Sequence, residues 1–145
     1  MNSAMKRTVP LLLALLCSVA SAENPPSDPV QSIEKSSVFA FGGVGFAGKT
    51  SQGEVDFRAI DSQPAAVALE NFKRVYAGGD VAAKSYALVG IRQLDGKRFN
   101  ELLQSLQDSP EKVLTMQGCI LERRNLLDVA RSIASGSYDG YLKSR

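Results

Sequence analysis

Between Pro64 and Gln107 apolar residues recur at helical spacing, broken only by Gly78-Gly79-Asp80 and by Asp95-Gly96. This punctuation constrains the fold more than any other feature. Leu69, Phe72, Val75 and Tyr76 lay one apolar stripe on a helix opened by Pro64, whose missing N–H costs nothing at a first helical position. Ala83, Tyr86, Ala87 and Gly90, with Val89 and Leu94 beside them, define a second helix behind the N-cap Asp80. Phe99, Leu102, Leu103 and Leu106 define a third, stopped by Asp108-Ser109-Pro110. Connections this short make successive helices run back antiparallel.

Two more helices flank this stretch. Ser51-Gln-Gly-Glu54 is a capping-box pattern: the Ser51 hydroxyl accepts an N–H of the first turn and Glu54 reaches back. The helix it opens runs to Asp61, with Val55 and Ala59 turned to the core and Phe57 and Ile60 as further candidates. Asn125 caps a last helix through Leu126, Leu127, Val129, Ala130 and Ile133, ended by Gly136. The expected fold is mainly α, about five helices packed as antiparallel hairpins, with short β or extended elements near 38–42 and 113–121.

The stretch 64–107 resembles the hairpins of HEAT and armadillo units. The segments Ala-Gly-Lys-Thr-Ser-Gln-Gly-Glu (47–54) and Ala-Lys-Ser-Tyr-Ala-Leu-Val-Gly-Ile (83–91) resemble uncharacterised short exported bacterial proteins. That resemblance implies no activity.

Residues 1–22 read as a secretory signal peptide: Lys6 and Arg7, an apolar run from Val9 to Val19, then the small-x-small site Ala20-Ser21-Ala22. The run is short of the roughly 20 apolar residues that span a bilayer, so no stable membrane span is expected after cleavage. The chain is expected to be exported, to the periplasm of a Gram-negative bacterium and otherwise secreted. Residues 23–36, polar and proline-rich, read as a flexible leader, and 37–145 as a single helical domain.

Export changes the chemistry available. The whole chain carries 17 Lys and Arg against 15 Asp and Glu; loss of Lys6 and Arg7 brings the two to parity, which argues against nucleic acid as a partner. There is no histidine, so Ser-His-Asp, Cys-His and zincin-type sites are excluded. Cys17 leaves with the signal, and Cys119 remains as a free thiol. Its neighbours Gly118, Ile120 and Leu121 favour burial; an intermolecular bridge or a reactive thiol are the functional alternatives.

One motif promises chemistry. Gly43-Val-Gly-Phe-Ala-Gly48-Lys49-Thr50 matches the P-loop pattern, with glycine amides to cradle phosphate, Lys49 to neutralise its charge and Thr50 to hold Mg²⁺. Against it stand an ATP-poor destination, few strands, no strand ending in a Walker-B Asp, and the apolar spacer with Phe46. The segment is read instead as a glycine-rich loop on the helical core, with no cofactor.

Other candidates carry less. Glu54, Asp56 and Asp61 could pair for acid/base work, but Glu54 has capping and an Arg58 ion pair available, and Asp56 and Asp61 are expected at the surface. Phe39, Phe41, Val44 and Phe46 are expected in the core; exposed, they would form an apolar patch for a partner. Tyr138 and Tyr141 are either interface residues or, with Leu142, packing for the C-terminal segment. The function expected is a non-enzymatic exported binding or accessory protein with a protein partner; the alternative is a nucleotide-binding protein using Gly43, Gly48, Lys49 and Thr50.

Overall fold

A computed structural model describes residues 27–142. The predicted signal peptide, 1–22, lies outside the described residues, as does the start of the predicted leader.

Helix α4 (Val81–Leu94) is the element around which the others are arranged. Ala82, Ala83 and every residue from Ser85 to Ile91 are buried. A helix without a polar face must be covered on all sides. Helix α3 (Ala65–Gly78), α5 (Gly96–Ser105), α6 (Leu126–Ala134) and α2 (Gln52–Asp61) all pack on it, as do the first helix α1 (Pro29–Glu34) and a strand, β3 (Lys112–Gln117). Small residues set the closeness of these contacts. A Cβ on Gly90 would lie 2.3 Å from the Phe72 ring, so α3 seats its aromatic on bare backbone.

The mainly helical class expected from the sequence holds, with seven helices among the described residues. One of the two unanticipated helices corrects the leader. Pro29 opens α1, the Asp28 carboxylate accepts from the Val30 N–H at 3.1 Å, and Val30 and Ile33 are buried in the core. The Ser32 hydroxyl donates to Asp56 Oδ2 at 2.6 Å, tying α1 to α2. The other is the short α7 (Asp139–Leu142), held by an Arg92–Asp139 ion pair at 2.6 Å.

The inward face of α2 also differs from expectation. Phe57 and Ile60 are fully buried, but Val55 and Ala59 are exposed, and Glu54 and Asp56 are buried in their place. Each buried carboxylate is hydrogen-bonded, which is the condition for placing it there. Asp56 accepts from Ser32 and from Gln52 Nε2 at 2.9 Å.

The expected element near 38–42 is reduced to a single parallel bridge from Phe39 to Thr115, and among the described residues the strands form two antiparallel hairpins. In one, β1 (Gly43–Val44) pairs with β2 (Lys49–Thr50). In the other, β3 pairs with β4 (Ile120–Asn125) across the turn Gly118-Cys119. Gly118 has φ +57° and Cys119 a negative φ, the pattern of a II′ turn with glycine first. The expected element near 113–121 is thus the centre of a hairpin that continues through Glu122-Arg123-Arg124, residues whose charge hid the strand.

Candidate functional site

The segment 38–48 is fixed at its start by two side chains of the helical core. Tyr86, buried on α4, accepts from the Ala40 N–H at 2.9 Å and donates to the Ala40 carbonyl at 2.8 Å. The Ser51 hydroxyl also donates to that carbonyl, at 3.0 Å. Burial pushes the Tyr86 phenol above its ordinary value, its bonds to Ser51 and Ala40 notwithstanding. Phe39 and Phe41, pinned on either side, are 1% and 4% exposed and pack edge-on against Tyr86 at 4.9 and 5.4 Å between ring centres.

Glu54 supplies the second anchor. The first half of the capping box forms, since the Glu54 N–H donates to Ser51 Oγ at 3.2 Å. The carboxylate does not return to Ser51: it accepts from the Gly42 N–H at 2.8 Å and from Arg58 at 2.6 and 3.0 Å. Arg58 in turn donates to the Tyr141 carbonyl at 2.9 Å. The expected i,i+4 ion pair exists, and it clamps the loop and α7 together.

Beyond Gly42 the chain leaves the core. The P-loop-like residues fold as a short antiparallel hairpin: Gly43 lies opposite Thr50, Val44 opposite Lys49, and Phe46 sits in the turn. The Gly48 N–H donates to the Gly45 carbonyl at 3.1 Å, and the Gly45 N–H to the Gly118 carbonyl at 2.9 Å. These two glycine amides are therefore spent on the hairpin's own turn and on the neighbouring hairpin. Phe46 is 103% exposed, against the expectation of a core position. Its turn projects it away from both anchors.

The Gly45–Gly118 bond and a Val44–Gly118 bridge bring the two hairpin ends side by side. Ile120 is 72% and Leu121 54% exposed beside that junction. Cys119 is exposed too, which corrects the expected burial: it occupies the second turn position, where no core lies over it. Nothing in periodicity could reveal this grouping, because the hairpin ends that carry Phe46 and Ile120 are joined only through pairing between distant segments at Gly45, Val44 and Gly118.

The two faces of the 38–44 segment differ. Its other contacts run along β3: the Phe39 N–H donates to the Leu114 carbonyl at 2.8 Å and the Met116 N–H to the Phe39 carbonyl at 3.0 Å. The inner edge of β3 is thereby occupied, whereas β4 pairs with β3 alone among the described residues. Behind the sheet, Tyr138 and Tyr141 are half-buried against Phe39 and Phe41, with Leu142 packed on the core as well. They wall a cleft of about 370 Å³ between the β3–β4 hairpin and the start of α7. Arg124 and Glu122 line its polar side.

No group of three or more potential metal ligands occurs among the described residues, and no helix described is long and apolar enough to cross a membrane. No protein-family model, curated protein or solved structure matches the chain.

Proposed function

We propose that the chain is an exported, non-enzymatic binding or accessory protein that works through protein–protein contact at the joined hairpin ends. The observation that carries this reading is Phe46, an aromatic ring wholly in water at the tip of an anchored hairpin, with Ile120 and Leu121 exposed on the two faces of the adjoining hairpin. Apolar groups left exposed at a surface are costly in water and stabilising against a partner. The anchors at Ala40 and Gly42 hold the hairpin's root, so less order has to be gained on binding. In this reading the helices, paired as HEAT-like hairpins, form the scaffold. The phosphate-binding alternative for Gly43, Gly48, Lys49 and Thr50 ranks below it, because the Gly45 and Gly48 amides already have carbonyl partners.

Site-specific photocrosslinking tests the reading. A photoreactive residue at position 46, 120 or 121 is expected to give one discrete protein adduct in the exported fraction of cells that make the protein. The same residue at Val67, exposed on α3, should not. Equal labelling at all four positions, or none at the hairpin ends, rejects the proposal.

A further inference from the structure

The cleft behind the sheet has a feature that docking at the hairpin ends does not use. Arg124 projects from β4 into it, half-buried, and no Asp or Glu forms an ion pair with it among the described residues. Its known partners are neutral oxygens. Nη2 donates to Ser132 Oγ at 3.0 Å, and the Tyr138 hydroxyl lines the same cleft. The Ser132 hydroxyl proton is spent on the Asp128 carbonyl at 3.0 Å. Burial pushes the Tyr138 phenol up, so at neutral pH it is uncharged and does not balance the guanidinium. Other half-buried cations of this molecule are balanced: Arg58 by Glu54, Lys84 by Glu111, Arg92 by Asp139.

We propose that the cleft binds an apolar monocarboxylate, its acid group on Arg124 and the Tyr138 hydroxyl and its apolar body on the tyrosine-lined wall. Three properties of the site favour that class. A guanidinium fork matches a carboxylate in geometry as well as charge. The wall opposite is aromatic, with Phe41 and Tyr141 stacked at 6.3 Å and an interplanar angle of 19°. The volume is at the lower end of the range for small-molecule sites, about 300–1,000 Å³, which suits a ligand of one ring and a short chain. Glu122, two residues from Arg124 on the same face of β4, disfavours a second negative group. The carboxylate could be that of a free acid or of a peptide C-terminus.

Titration of the full chain with 3-phenylpropionate, followed by amide NMR shifts, tests this. Expected is saturable one-to-one binding with shifts at Thr115, Gln117, Arg124 and Tyr138. The uncharged 3-phenylpropan-1-ol, with the same ring and chain, should bind at least about ten-fold more weakly, since it cannot form the charged hydrogen bonds. Arg124→Gln should weaken the acid by a similar factor without altering the alcohol, and Arg124→Lys should recover part of the loss. N-acetylphenylalanine separates the two sources of carboxylate: tighter binding than phenylpropionate supports a chain end, weaker binding a free acid. Absence of saturation, equal affinity for acid and alcohol, or shifts confined to other regions overturns the proposal. The acid–alcohol comparison on the unaltered chain decides the matter even if the Arg124 variants do not fold.

Discussion

Phe41 and Phe46 lie five positions apart in the same glycine-rich segment, yet one is almost wholly buried and the other wholly exposed. Composition does not separate them; anchoring does. The backbone around Phe41 is held by Tyr86 at Ala40 and by Glu54 at Gly42, so its ring is delivered into a cluster with Phe57 and Tyr86. After Gly42 the partners are those of a hairpin, and the ring at the turn has no core to enter. A segment of uniform hydrophobicity thus contains a structural half and a presenting half, divided at one backbone amide.

The sharpest way to break this comparison is to truncate both rings. Phe41→Ala should cost about 3–5 kcal/mol, the usual range for a buried aromatic, and urea unfolding measures it. If the chain unfolds no earlier than the parent, the buried half is not part of the core. Next in size is Tyr86→Phe, expected to cost about 1–3 kcal/mol because the Ala40 N–H loses its acceptor while Ser51 still serves the carbonyl.

The same variant has a pH signature. The folded state keeps the Tyr86 proton beyond the ordinary value of 10.0, whereas the unfolded chain releases it near that value. Stability from this group is therefore complete below about pH 10 and is lost as pH rises through the raised value. Unfolding midpoints between pH 8 and 11 should fall less steeply in Tyr86→Phe than in the parent. The smallest effect belongs to Phe46→Ser, which should leave the unfolding midpoint unchanged within error while removing the crosslinked partner. A large loss of stability there would mean that the tip is packed, and the distinction between the halves would fail.

Helices were legible wherever apolar spacing and punctuation agreed, as from Pro64 to Gln107. They were less so where function of the side chain and its position diverge. Val55 looked inward by hydrophobicity, but Glu54 and Asp56 took the buried face because Gly42, Arg58, Ser32 and Gln52 satisfy them. Helix α1 was hidden by prolines that signal a linker in general and a helix start at position 29 in particular. Strand β4 was hidden by Glu122-Arg123-Arg124, charges that an outer strand tolerates. The candidate sites were legible only as separate residues: the junction of the Phe46 and Ile120 hairpins, and the cleft shared by Arg124 and Tyr138, are made by tertiary structure.

Helix α4 has a consequence for how the chain is made. It touches α1, α2 and α3 on one side of the sequence and α5, β3 and α6 on the other. Synthesis proceeds from the N-terminus, so α4 emerges when only half of its cover exists. The surface that will meet β3 and α6 stays bare until those elements follow, and an apolar helix left bare invites aggregation. A chain built this way gains from being held unfolded until it is complete, because among the described residues neither the elements before α4 nor those after it cover that helix by themselves.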